Sequence, residues 1–200
     1  MNPQQAQAHS LHSAPQTFRV AIEQLRQADT RGEVELDEVP APAMLAPYAV
    51  AMSADVADQD GEALAVGRFI LLYDPNYSEV WDGNFRIVTY IRTSLEADVG
   101  EDPLVSEVAW TWTVEALDAA AATYRQPGGT ASRVLSQSFG MLEQQVDAID
   151  LELRASWTPA GDNLDRHLTA WSEMVCTFAG LPPTAEGVIP LNPARRKNDF

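Results

Sequence analysis

The sequence has little positive charge and almost no lysine. Its 13 lysines and arginines face 29 aspartates and glutamates, which gives a formal net charge of -16. A chain this acidic is poorly suited to nucleic acid or an anionic membrane, because arginine and lysine hold those ligands. The only lysine is Lys197, close to the end. The folded body therefore cannot contain a Walker-type phosphate loop, a Schiff-base lysine or a Ser–Lys dyad.

Cysteine and histidine are also scarce. A single cysteine, Cys176, excludes a disulfide framework and any multi-cysteine metal site. His9 and His12 lie in a polar lead-in, and His167 lies among apolar residues of the last predicted helix, where we interpret it as a packed or interfacial side chain. Cys176 is nine positions from His167 and falls on the opposite helix face, so the two cannot form a nucleophile–base pair. We predict no catalytic residue, no metal site and no cofactor.

The chain also lacks long apolar runs. No segment approaches the length needed to cross a bilayer, and residues 1–15 have neither the charged nor the apolar part of a signal peptide. These absences predict a cytoplasmic protein. Two hundred residues with 46% hydrophobic content fit one domain. We assign a disordered lead-in to 1–15, one α+β domain to 16–181, and a proline-rich, then basic, tail to 182–200.

The apolar periodicity predicts the element order α-βββ-α-ββ-α. The helices are expected at 16–28, 103–124 and from about 163 onwards, and the strands at 48–56, 62–73, 85–95, 130–140 and 147–157. Such hairpin-linked strands favour a five-stranded antiparallel sheet with the helices mostly on one side. The prolines of 37–47 predict an extended connector. "PGG" at 127–129 is expected to end the middle helix.

The segment "EVAWTWTVEAL" at 107–117 alternates like a strand in its centre but is flanked by helical sequence. Placed at 100° per residue, the helix over 103–124 has two apolar stripes. The stripe expected to pack on the sheet is Leu104, Val105, Val108, Trp112, Ala116 and Ala119. The opposite stripe is Trp110, Val114, Leu117, Ala121 and Tyr124. It packs either on another part of the same chain or on a second copy, in which case it is a homodimer interface.

The polar faces of the predicted strands carry three arginines, Arg86, Arg92 and Arg154, with Tyr90 beside the first two. One interpretation is an anion- or peptide-binding surface. The other is cross-strand ion pairing with the acids of the same region, Glu96, Asp150 and Glu152.

The predicted loop at 74–82 is a separate candidate site. Its acids Asp74, Glu79 and Asp82 fit either a solvated turn or a small-molecule site.

Several longer stretches carry a family resemblance. They are "GRFILLYDP" (67–75), "WDGNFRIVTYIR" (81–92), "DPLVSEVAWTWTVEAL" (102–117), "GGTASRVLSQSFG" (128–140), "LELRASWTP" (151–159) and "HLTAWSEMVCTFAGLPPTAEGVIPL" (167–191). Together they resemble the actinobacterial domain-of-unknown-function family 3000 over about residues 16–193. The resemblance implies no particular activity, cofactor or catalytic residue.

The order of elements resembles a second group, the small α+β fold of type III secretion chaperones. That likeness implies a central helix that contributes to a dimer interface. We therefore predict a cytoplasmic binding or adaptor module, chaperone-like and homodimeric, which acts through a protein partner. The alternative is a small-molecule enzyme with arginine, aspartate and tyrosine groups near the 74–82 loop.

Overall fold

The part of the chain that the structure describes contains three α-helices, a short 3-10 helix (Gly140–Leu142) and six strands. The structure is a computed structural model, and it describes residues 14–95, 100, 102–144 and 147–183. The helices are α1 (Gln16–Leu25), α2 (Val105–Ala119) and α3 (Leu164–Phe178). The strands are β1 (Glu35–Val39), β2 (Tyr48–Ala57), β3 (Ala63–Ser78), β4 (Gly83–Leu95), β5 (Tyr124–Ser136) and β6 (Ala148–Pro159).

The strands form one antiparallel sheet in the order β1-β2-β3-β4-β6-β5. The α+β class and the antiparallel sheet are confirmed, but the expected five strands were one too few. The missed strand is β1, which pairs with β2 at one edge. Its sequence, ELDEV, has three acids in five residues and no buried position, so it lacks the apolar alternation by which strands are recognised.

All three helices contribute to one core on the same face of the sheet. From the sheet, Phe69, Leu71 and Trp157 are at most 1% exposed. Burying a side chain of this size stabilises the fold by about 1.5–3 kcal/mol. The predicted stripe of α3 is confirmed, since its members are all buried: Leu164, Leu168, Trp171, Met174, Val175 and Phe178.

The opposite face of the sheet carries no helix among the described residues, and we call it the open face. A second, smaller apolar cluster lies on it, centred on Ala51, Ile70 and Leu72. Ala41 and Ala46 of the β1–β2 connector pack against this cluster, as does Trp81 from the β3–β4 turn. Elsewhere the open face is mixed: the alternate residues that point away from the helices include polar side chains such as Arg68, Tyr90 and Glu152 and the valines Val66 and Val134.

Helix α2 is shorter than the sequence predicts, since it ends at Ala119 rather than at Tyr124. Ala121 adopts a left-handed conformation with φ 50°. Its N–H donates to the Asp118 carbonyl, and the N–H of Ala122 donates to the Leu117 carbonyl. This is a Schellman motif, with Ala122 and Leu117 as its buried apolar pair. The usual glycine at the left-handed position is absent, so the helix end has no sequence signal.

The expectation that "PGG" ends the helix was also wrong, because residues 127–129 lie inside β5. The pairing of β5 with β6 shifts between Arg125 and Gly128, and Gln126 has a φ of 49°. A proline is tolerated here because β5 is an edge strand and the shift interrupts its ladder. From Gly128 to Ser136 the pairing is regular.

The two-stripe interpretation of α2 was wrong as well. The buried residues of this helix are Val105, Ala109, Thr113 and Leu117, spaced four apart. Trp110 and Trp112 flank that line on either side and are both half-buried. Trp112 makes an edge-on contact with Phe178 of α3, with ring centroids 5.5 Å apart. Val108, expected in the core, is 38% exposed.

Candidate binding surface

One row of side chains crosses the open face from β2 to β6. The register places Ser53, Arg68, Tyr90 and Arg154 opposite one another on four adjacent strands. They line a groove of about 610 Å³ whose apolar part includes Val66, Ile70 and Val88. The groove therefore combines two arginines, one carboxylate (Asp55) and an aromatic ring with aliphatic side chains.

Arg154 and Tyr90 form a pair within this row. The Arg154 guanidinium carbon lies 5.1 Å from the centroid of the Tyr90 ring, a cation–π contact. Arg154 also forms an ion pair with Glu152, at 2.6 Å between Nη2 and Oε2. Burial, followed by the neighbouring Glu152 carboxylate, raises the pKa of Tyr90 above its usual value. The phenol is thus neutral at physiological pH and can donate a hydrogen bond.

Arg92 lies in the next row and forms an ion pair with Asp150, at 2.7 Å between Nη2 and Oδ2. The hydroxyl of Ser94 donates to the other Asp150 oxygen at 2.6 Å. Burial raises the pKa of Asp150, but the hydrogen bonds from Ser94 and Arg92 outweigh it and leave the pKa below its usual value. The predicted cross-strand ion pairing is therefore found for Arg92, whereas Arg154 pairs with Glu152 of its own strand, β6. Glu96, the third predicted acid, lies outside the described residues.

Arg86 is held by neutral hydrogen-bond acceptors rather than by a carboxylate. Its guanidinium donates to the hydroxyls of Ser156, at 2.7 Å, and Thr158, at 3.1 Å, and to the Gln126 carbonyl, at 3.0 Å. Among the described residues it makes no ion pair. Burial lowers its pKa. Arg86 thus ties β4 to β6 and to the β5 irregularity, which occupies its donors within the chain.

Arg68 is the residue of this surface that sequence reasoning missed. It is exposed, and it makes no ion pair with any residue in the described ranges. The segment containing it, 62–73, is apolar on both sides, which favoured the interpretation of a buried central strand. The signal was a single arginine in that apolar run, since a charge there must face solvent or a ligand.

The 74–82 segment is partly strand, because β3 continues to Ser78 and the turn is confined to 79–82. At this hairpin end the Tyr77 hydroxyl donates to Asp82 at 2.5 Å. Arg125 forms an ion pair with Asp82 at 3.1 Å. The hydrogen bond to Asp82 raises the pKa of Tyr77, which makes its phenol a weaker acid. Tyr77 is 52% exposed, so the cluster lies at the surface.

His167 and Cys176 are both in the core, as the sequence predicted for packed side chains. His167 is 1% exposed, and its Nδ1 accepts a hydrogen bond from the Trp157 indole at 3.1 Å. Burial lowers the pKa of His167 to about 4 and raises that of Cys176 to about 11, so both are neutral at pH 7. No group of three or more metal-ligating side chains occurs among the residues searched, which are those described.

The predicted interface residues of α2 are dispersed. Leu117 is in the core, 1% exposed, and is not available to a second copy. Val114 and Tyr124 are half-buried, and Ala121 is exposed at the Schellman turn. Trp110 lies over β5, where a side chain on Gly129 would come within 2.9 Å of its ring. The chain itself thus covers one side of Trp110, and the homodimer stays a prediction.

Within the described residues, no helix has the length and apolar character to cross a membrane. The fold and surface define an α+β protein with a helix-covered and an open sheet face. The family model described as "Protein of unknown function (DUF3000)" matches residues 14–189. The chain belongs to that family. No curated protein and no solved structure matches it.

Proposed function

We propose that this protein is a binding module that holds a segment of a partner protein on its open face and so acts as an adaptor. The observation that carries the proposal is Arg68, an exposed cation without a carboxylate partner among the described residues, beside an apolar groove. Asp55 lines the same groove but forms no ion pair with Arg68 among the described residues, so the Arg68 guanidinium remains available to an acidic ligand.

The groove also indicates the chemistry of the partner segment. Val66, Ile70 and Val88 offer aliphatic contacts, and Arg68 offers a charge-assisted hydrogen bond to a carboxylate. Tyr90 and Arg154, stacked together, present a flat surface for a backbone or side chain. The matching ligand is a peptide segment in which aliphatic residues flank an aspartate or glutamate. Holding such a segment of a client protein is also what a chaperone-like role requires.

Two observations support this proposal over an enzyme at the 74–82 segment. Tyr77, Asp82 and Arg125 satisfy one another at an exposed hairpin end. His167 lies in the helix-side core with its Nδ1 occupied by Trp157, so it does not join them. A general base needs an accessible acceptor atom, and the buried His167 offers none to this segment.

Substitution of Arg68 tests the proposed function. The probe is a library of short peptides with capped ends, in which aliphatic residues surround one central aspartate or its asparagine replacement. We expect wild-type protein to bind the aspartate peptides and Arg68→Glu to weaken binding at least about tenfold, since a charge-assisted hydrogen bond becomes a repulsion. Fluorescence anisotropy measures the affinities, and amide chemical shifts locate the site.

The matched control is Arg19→Glu, which makes the same charge change at an exposed position on α1. It should leave peptide binding unchanged. If wild-type protein prefers the asparagine peptides, or if shift changes map to the helices rather than to β3 and β4, the proposed function is wrong.

A further inference from the structure

The two edges of the sheet differ in charge. Edge strand β1 has three carboxylates in five residues and pairs with β2 over only that length. Edge strand β5 has 13 residues, two arginines and no acid. Sheet edges are normally protected from pairing by charges, prolines or bulges. Strand β1 has that protection along its whole length. In β5 the proline and the register shift lie at the first residues, and the regular part carries one charge, Arg133.

Residues 128–136 of β5 form a long regular edge. All nine pair with β6 without a shift, so they span about 30 Å along the strand. No other described strand pairs with the second side of β5. Alternate backbone N–H and C=O groups therefore point outward. Two aliphatic side chains are exposed at the far end, Val134 at 41% and Leu135 at 59%.

We propose that β5 is a self-association surface, on which a second copy of this chain pairs its own β5 in antiparallel fashion about a two-fold axis. The charge distribution favours a second copy of the chain as the partner of β5. Two copies of so acidic a chain repel each other over most of their surface. The acid-free strand is the edge at which they approach without opposing carboxylates. The pairing would join the two sheets into one with twelve strands.

The register follows from the strand itself. Pairing is longest when the two-fold axis passes through Ser132, the centre of 128–136. Arg133 then lies opposite Ala131 of the second copy, whereas an axis at Arg133 would bring two guanidinium groups together. In the chain itself, Arg133 donates to the carbonyls of Gly100 and Asp102, which fixes it on the helix side.

The same register gives the exposed Leu135 a partner. Leu135 comes to lie opposite Gly129 of the second copy, and both are on the helix side of their strands. The Trp110 ring lies directly over Gly129. Beside this ring is a cleft of about 520 Å³ that Ala131, Leu153 and Glu107 also line. Leu135 fits that cleft and covers the exposed side of Trp110. The second copy thus completes the packing of this tryptophan.

A disulfide cross-link tests the register. In the proposed dimer, Ser132 faces its own copy across the axis at about 4.5–5.5 Å between Cα atoms, within disulfide range. Ser132→Cys is therefore expected to form a covalent dimer on mild oxidation. Val134→Cys should not, because it lies about 13 Å from its copy along the strands. Cys176 is buried and does not interfere. Cross-linking through Val134→Cys alone overturns the proposal.

The mass in solution tests the association independently of the cross-link. Light scattering at tens of micromolar should give wild-type protein twice the 21.9 kDa of one chain. Leu135→Glu should shift it to the monomer, since it places a carboxylate against Trp110. Val20→Glu on α1, where the valine is 49% exposed, should remain dimeric. A monomeric wild type, or a dimer that Leu135→Glu leaves intact, overturns the proposal. Neither result depends on peptide binding at Arg68.

Discussion

Replacement of Trp171 by alanine is expected to destabilise the protein by about 3–5 kcal/mol, the largest effect of any single substitution considered. Trp171 is fully buried in α3 and packs against Phe69 with ring centroids 5.5 Å apart. Its indole N–H has no hydrogen-bond partner among the described residues, so packing alone holds the ring. The alanine variant loses those contacts and leaves a cavity. Urea unfolding measures the loss.

The contact between Trp171 and Gly67 gives this prediction a sharper form. A Cβ at Gly67 would come within 2.7 Å of the Trp171 ring, at Cζ2, and 3.1 Å of Val175. Gly67→Ala is therefore expected to cost about 1–3 kcal/mol, because either the helix or the strand must move. In the Trp171→Ala background the methyl group has room, so the same substitution should cost much less. The double-mutant cycle reports this coupling.

Gly32→Ala is the matched control, since a Cβ at that position meets no atom within 4 Å. It should change the free energy of unfolding little, whether or not Trp171 is present. If the effects of Gly67→Ala and Trp171→Ala are additive, α3 does not pack on β3 at this point and the described core is wrong there.

The difference between α3 and α2 explains how far the sequence could predict the fold. Helix α3 has large apolar residues on one side and polar residues on the other, so its buried face follows from periodicity alone. Helix α2 has large residues all round, and its most buried positions include the small Ala109 and Thr113. Small side chains lie where a helix packs closely on a neighbouring element, because they permit close approach. A prediction based on the positions of large apolar residues therefore places the buried face of α2 incorrectly.

Prediction from the sequence was also only partly successful for the sheet and its open face. Strands with apolar alternation, such as β2, β4 and β6, were predicted nearly to their ends, whereas the acidic β1 was missed. The pairing of Arg92 with Asp150 could be predicted, because residues on one face of neighbouring strands meet. The position of Arg68 beside Tyr90 could not, because it depends on the register between β3 and β4. No local pattern fixes that register.

The pH dependence of stability is expected to show the second large effect, centred on His167. Burial lowers the pKa of His167 to about 4, against 6.5 for an ordinary histidine, and the nearby Asp165 opposes this only in part. Between these two pH values the His167 imidazole is protonated in the unfolded chain but neutral in the folded protein. Acidification therefore favours unfolding. Above pH 6.5 the neutral His167 contributes about 3 kcal/mol to the free energy of unfolding, relative to acid conditions. This contribution is lost as the pH drops towards 4.

The structural reason is the hydrogen bond that Trp157 donates to Nδ1 of His167, because a protonated imidazole has no acceptor atom to offer there. His167→Gln should be less stable at pH 7 but should lose the part of the pH dependence between about 6.5 and 4. His12→Gln, outside the described residues, should keep it. Carboxylates such as Asp150 titrate in all three proteins and cancel in the comparison. Equal slopes for wild type and His167→Gln in chemical unfolding across this range would mean that His167 is charged in the fold, in conflict with its contact to Trp157.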